Sequence, residues 1–361
     1  MDLSQFTAEA LIQSNFRDDY DLGDESLRDL YSKAKRHQWD AEVDVDWGCF
    51  EPGVDVLDRN ADFLSRLDCI RELPEEQQDQ LFSVNQKFLV SQVLHGEQAA
   101  LMTCGQLVNL VPEVEGKLAA SVQVIDEARH VEVFARYLER QGGHFPIDPD
   151  LKIIVEQLLS EPDWEAKCVG MQVILESVAL SFFKQGERIG VEPTFKSFIP
   201  RVQTDEARHV AYGVLTLGER IPNLDPQIRR RLEDWAYDAI VRIAGRAGKP
   251  GFVSMFQALA TTDIDLGTLL PRLFAEVADQ NHLDLEGLAD PISDTVLPNL
   301  LRVGLVPERL VDGYLAQGWR VDREERSVEN LHTRHPDAQR IRKEFEAQGK
   351  DFAIPGQASL S

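Results

Sequence analysis

Between residues 74 and 222 the apolar positions recur every three to four residues, the spacing of helices that bury one face, and almost nothing follows the every-second-residue period of a strand. The pattern predicts four long helices. The first runs from Pro74, with acidic residues in its opening turn, to Val111 before Pro112. The second spans about 113–140 and stops at Gly142-Gly143. A shorter segment follows near 150–160. The third occupies about 162–188, around Glu176, and ends near Gly190. The fourth starts at about Pro193 and ends before Pro222. Residues 1–73 read as helical segments and loops packed on this bundle. Residues 223–345 read as further helices interrupted at Gly248-Lys-Pro-Gly251, Asp290-Pro291 and Pro307, and 346–361 as a mobile tail. The expectation is an all-α chain with a four-helix bundle core and flanking helices, forming one domain overall.

Composition narrows the partners. The net charge of −24 argues against nucleic acid or an anionic membrane. Cys49, Cys69, Cys104 and Cys168 are scattered without a Cys-x-x-Cys pair, which suits a reducing cytoplasm better than a disulfide framework. The start Met1-Asp-Leu-Ser-Gln-Phe is not a signal peptide, and no apolar run is expected to approach the roughly 18 residues of a membrane span. A cytoplasmic protein is expected.

The chemistry lies in a repeat. Asp-Glu-Ala-Arg-His occurs at 126–130 and again at 205–209, and each copy has a glutamate upstream in an apolar run, Glu97 and Glu176. The offsets agree: 206 − 127 and 209 − 130 are both 79, and 127 − 97 and 206 − 176 are both 30. Residues i and i+3 share a helix face, so Glu127/His130 and Glu206/His209 can each hold one metal. Thirty residues is a helix, a turn and the way back, which sets Glu97 opposite Glu127 and Glu176 opposite Glu206. Four buried carboxylates need cations, and two divalent ions with two neutral imidazoles bring the cluster to neutrality. Oxygen and nitrogen donors without thiolate favour iron or manganese over structural zinc. The alternative, two solvated surface pairs, requires both copies and both upstream glutamates to coincide by chance. His95, two residues from Glu97, falls on another face and is a weaker candidate ligand.

This ligand set resembles the general pattern of ferritin-like di-iron carboxylate proteins: a Glu from each of two helices and Glu-x-x-His from each of the other two. The full Asp-Glu-x-Arg-His pair, together with Ala34-Lys-Arg-His-Gln-Trp39-Asp-Ala-Glu-Val-Asp-Val, is similar to ribonucleotide reductase small subunits, R2-like oxidases and bacterial monooxygenase hydroxylases. The resemblance covers roughly residues 30–220. It implies that Asp126 supports His209, that Asp205 supports His130, that Arg129 and Arg208 pair with the aspartates, and that Trp39 donates its indole N–H to Asp205. Simpler readings are i,i+3 surface ion pairs for the former and plain packing for Trp39. Three departures stand out. Phe134 occupies the position of the radical tyrosine, Ala100 and Met171 that of a valine–tyrosine crosslink, and Leu180 that of the hydroxylase threonine. Phenylalanine at the first position also occurs in small subunits with a manganese–iron pair.

The resulting expectation is a non-heme di-iron oxygenase with two iron ions per chain, Mn/Fe being the alternative. Glu97, Glu127, His130, Glu176, Glu206 and His209 would be ligands, with Glu127 and Glu206 bridging. It would use O2 to hydroxylate or N-oxygenate a small organic substrate, fed by a reductase or ferredoxin and assembled as a homodimer. The alternatives are an R2-like radical-generating or ligand-binding oxidase subunit and, more distantly, ferritin-type iron storage. Leu101, Met102, Phe134, Met171, Leu175, Leu180, Phe182 and Phe183 lie within two turns of a ligand. Some of them are expected to line a mainly apolar pocket, the rest being bundle core.

Overall fold

The computed structural model describes residues 6–322 except 11, 19, 21–22, 219, 245–254, 256 and 279–289. The expected tail at 346–361 and the Gly248–Gly251 interruption lie outside the described residues. Asp24 caps α1 (Glu25–Arg36) by accepting from the Leu27 amide, and basic side chains close its last turn. A loop and three 3-10 turns lead to α2 (Asp68–Arg71). α3 (Glu75–Leu110) follows Pro74 directly and opens with Glu75 and Glu76. α4 (Val114–Arg140) follows α3 after a three-residue link, too short for anything but an antiparallel hairpin. Gly142 and Gly143, both at positive φ, stop it.

α5 (Pro149–Ser160) is capped by Asp148 and carries the chain across the bundle. Next comes one continuous helix, Trp164–Ile189, built in three parts: α6 (Trp164–Cys168), a π segment (Val169–Leu175) and α7 (Glu176–Ile189). A tight link leads into antiparallel α8 (Pro193–Gly218). Two hairpins joined by one long crossover give the ferritin-like four-helix arrangement. α9 (Pro226–Ile243), α10 (Leu266–Ala278), a second π segment (Ile292–Val296), α11 (Leu297–Arg302) and α12 (Glu308–Ala316) complete the described chain. Pro291 and Pro307 sit at helix starts, so these interruptions punctuate helices.

Flanking helices share their cores with the bundle. Ala236 and Ile240 of α9, Leu297 and Leu300 of α11 and Tyr314 of α12 are buried in one cluster with Leu107, Val173 and Leu217 of the bundle. Trp39, Val45 and Trp47 pack with Phe134, Tyr137, Phe183 and Phe198. All four cysteines are unpaired thiols. One sequence expectation needs correction. Helix Trp164–Ile189 does reach the length and apolarity of a span, but 78% of its most apolar stretch is buried inside the protein. Its apolarity is accounted for by its place in the core.

Candidate metal centre

Each bundle helix delivers its ligand candidates to one point at mid-height. Glu97, Glu127, His130 and Glu206 are buried together with donor atoms within 4.8 Å of one another, and so are Glu127, Glu176 and His209. His130 Nδ1 lies 3.2 Å from Glu97 Oε2, 3.3 Å from Glu127 Oε2 and 3.0 Å from Glu206 Oε1. His209 Nδ1 lies 3.5 Å from Glu176 Oε2, 3.0 Å from Glu127 Oε1 and 3.5 Å from Glu206 Oε2. Glu127 and Glu206 thus give one oxygen to each half, whereas Glu97 and Glu176 each face one half. All six residues predicted from the repeat are brought together.

The supporting groups cross between the repeats. His130 Nε2 donates to Asp205 Oδ2 at 3.2 Å, and His209 Nε2 to Asp126 Oδ2 at 3.3 Å. Holding Nε2–H on an aspartate fixes the tautomer and turns the Nδ1 lone pair inward. Trp39 Nε1 donates to Asp205 Oδ2 at 2.7 Å, and the indole stacks on the His130 ring with centroids 6.3 Å apart. Arg129 pairs with Asp126 and approaches Asp205 at 3.5 Å. Arg208 pairs with Asp205 and approaches Asp126 at 3.6 Å. Sequence reasoning missed Gln38, whose amide donates to Asp126 Oδ1 at 3.0 Å. It plays toward Asp126 the part its neighbour Trp39 plays toward Asp205, and that adjacency was the available clue.

The protein alone leaves the cluster electrostatically incomplete. Burial, reinforced by the Glu206 charge, pushes the Glu97 and Glu176 carboxyls well above the usual range. Burial also disfavours charge on the imidazoles. The carboxylates around them, led by Glu97 for His130 and by Glu127 for His209, nevertheless hold both well above the ordinary histidine value. Against the same burial, His209 and His130 hold Glu127 well below its usual range. Glu127 Oε2, both oxygens of Glu206 and His209 Nδ1 are buried and make no hydrogen bond. Such orphaned donors converging on one point fit a pair of cations and little else.

The two halves differ in their surroundings. Gln123, one turn before Glu127, donates Nε2 to Glu127 Oε1 and to Glu176 Oε1, both at 2.9 Å. Gln172 Nε2 reaches Gln123 Oε1 at 3.4 Å and Cys104 Sγ at 3.3 Å. On the other side Phe134 stacks on Phe183 at 5.7 Å and meets Phe198 edge-on at 5.4 Å. A small cavity of about 10 Å³ opens between α1, α4 and α8 and reaches Gln123 and His209. None of the eight residues expected around an apolar pocket lines it. Phe134 and Phe183 fill core beside His130, Met171 packs with Leu158 and Leu159 of α5, and Met102 is 49% exposed. His95 is also elsewhere, on the Phe145 carbonyl at 2.8 Å and edge-on to His144.

No family model matches the chain, and no curated protein matches it. Among solved structures it is similar to R2-like ligand-binding oxidases. One, with an aerobically reconstituted Mn/Fe cofactor after a long soak, is 18% identical, with coverage of 73% of this chain and 94% of its own and a TM-score of 0.43. A single-residue variant with an anaerobically reconstituted Mn/Fe cofactor is 19% identical, covering 73% and 95%, with a TM-score of 0.44. At this overlap the likeness is one of helical arrangement and decides nothing about activity.

Proposed function

We propose that the chain holds two divalent metal ions and is an O2-dependent oxidoreductase of the R2-like kind, acting on a small ligand beside them. The observation that carries this reading is the paired donor set, in which Glu127 and Glu206 each offer one oxygen to each histidine-bearing half. Glu97, Glu127, His130, Glu176, Glu206 and His209 would hold the ions, and the bound pair would supply the redox chemistry toward O2. The chain's own side chains do the rest. Asp126 and Asp205 keep each imidazole oriented, Arg129 and Arg208 neutralise those aspartates, and the packed helices keep water out.

Iron in both positions is our reading of the metals. A manganese–iron pair is equally compatible with oxygen and nitrogen donors. The narrower reading of the reaction is hydroxylation or N-oxygenation of a small organic molecule. A ligand-binding or radical-generating oxidase subunit is the second reading, and Phe134 in place of a radical tyrosine argues for the ligand-binding form of it. A homodimer served by a reductase or ferredoxin in the cytoplasm fits either reading.

The test is anaerobic iron loading, elemental analysis, then stopped-flow absorption on mixing with O2 in the presence and absence of candidate substrates. We expect about two metals per chain and an O2-dependent absorption that a substrate makes decay faster. One metal or none overturns the two-metal reading. A 24-subunit shell on size exclusion would indicate iron storage instead. An O2 reaction indifferent to every small molecule but altered by a protein partner favours the subunit reading.

A further inference from the structure

The 79-residue offset that relates the ligand motifs also allows their surroundings to be compared. The sequence counterparts of Gln123, Gln172 and Cys104 are Val202, Val93 and Phe183. Val202 and Phe183 are fully buried in the aromatic cluster around Phe134, and Val93 packs against it. The His130 half is therefore walled by hydrocarbon and the His209 half by carboxamides and a thiol. Burying two carboxamides costs several kcal/mol unless their hydrogen bonds are met, so the polar wall is a costly feature that plain packing does not require.

The hydrogen bonds along this wall have a fixed sense. An ionised carboxylate only accepts, and Glu127 is held ionised by the two imidazoles, so Gln123 must turn Nε2 toward Glu127 Oε1, where it also meets Glu176 Oε1, and its own Oε1 then faces Gln172. Gln172 must answer with its own Nε2. That leaves Gln172 Oε1 as an acceptor in a fully buried side chain, and it has no partner. The π segment places this residue. Gly213 on α8 is the neighbour that makes room, since a Cβ there would stand 2.5 Å from Gln172 Cβ.

We infer that the Glu176–His209 half is the face on which the centre takes its exogenous ligand, and that this ligand carries an N–H or O–H donor that Gln172 Oε1 accepts. The substrate class is a small polar molecule with a hydrogen-bond donor next to its metal-facing atoms, not a hydrocarbon. This inference rests on the two-metal reading above and specifies its substrate side. Gln172 acts as a specificity-determining residue, and Gln123 positions both Gln172 and the two carboxylates.

Cobalt(II)-loaded protein allows a test by visible absorption without turnover. Acetohydroxamate, a small chelator with an N–H donor, is titrated against N-methylacetohydroxamate, which lacks it. The wild type should prefer the former by about tenfold, one buried hydrogen bond. In Gln172→Leu the preference should fall to within about twofold, and in Val93→Ala on the hydrocarbon half it should persist. Gln172→Met, unbranched and of similar length, is read in parallel in case the leucine variant does not fold. Failure to load two cobalt ions in the wild type would sink the metal reading itself. Full loading with the same preference in wild type and both Gln172 variants, or no preference in the wild type, overturns the inference about the polar half alone.

Discussion

Trp39 meets Asp205 at 2.7 Å and stacks on the His130 ring, so one side chain touches both members of a supported ligand pair. Replacing it by Phe keeps the stack and deletes the donor. We expect Trp39→Phe to retain fold and metal but to slow the decay of the O2-generated absorption by at least about tenfold, roughly 1.4 kcal/mol of barrier. Unchanged decay would reduce the residue to packing. Protons provide a second residue-scale test. In the metal-free cluster His130 and His209 stay charged above the ordinary histidine value, and Glu97 and Glu176 hold their protons above the ordinary carboxyl value. Metal needs those lone pairs, so loading at neutral pH should release protons and weaken as pH falls. By linkage, the metal-free protein binds these protons more tightly folded than unfolded. Its stability should therefore decline as pH rises past the ordinary values of these groups and through their raised ones. Loading without proton release, followed with an indicator dye, would contradict this. The six clustered Glu and His side chains were legible because they recur at one offset, and the crossing of Asp126 and Asp205 was implied by the resemblance. Gln123, Gln172 and Gln38 were not legible, because none of them recurs at the 79-residue offset and a lone amide carries no spacing of its own.

At the scale of elements, helix bounds followed from caps and breakers: Pro74, Gly142-Gly143 and Pro193 stand where the chain turns. The π segment Val169–Leu175 escaped notice because one widened turn hardly disturbs an apolar run of this length. Its fit depends on two glycines. A Cβ on Gly170 would lie 2.3 Å from Leu158 Cδ2 and 2.4 Å from the Trp235 ring, and one on Gly213 would lie 2.5 Å from Gln172 Cβ. Gly170→Ala and Gly213→Ala should each destabilise by about 1–3 kcal/mol through overpacking. Gly213→Ala alone should also disturb the cobalt spectrum, since it presses on Gln172. Gly96→Ala, in the middle of α3 with open space at its Cβ, is the control and should raise the denaturant midpoint slightly, by the roughly 0.5–1 kcal/mol that alanine gains over glycine inside a helix. Equal midpoints for all three would mean that the widened turn is not held by these contacts.

Across the whole molecule, the bundle and the flanking helices share stability, and the candidate metal centre would add to it. Two ions at 100 times their dissociation constant would each add about 2.7 kcal/mol to the folded state. Chelation should therefore lower the melting temperature sharply. Glu127→Ala or Glu206→Ala should lower it as chelation does, while Glu132→Ala, on the exposed face of α4, should not. A melting temperature indifferent to chelation would mean that the cluster is not a metal site. The flanking helices were legible only as helices. Where Ala236, Leu300 and Tyr314 would dock depends on matching two apolar faces, which no single stretch of sequence displays. The turn after α1 has a further consequence, in time. Gln38 and Trp39 leave the ribosome early, yet their acceptors are Asp126 and, 166 residues after Trp39, Asp205. During synthesis these two donors must wait, exposed or loosely held, until nearly the whole bundle has been made. Closure of the N-terminal segment over the aspartates is thus a late event in the life of each nascent chain, and the moment to expect metal to be captured for good.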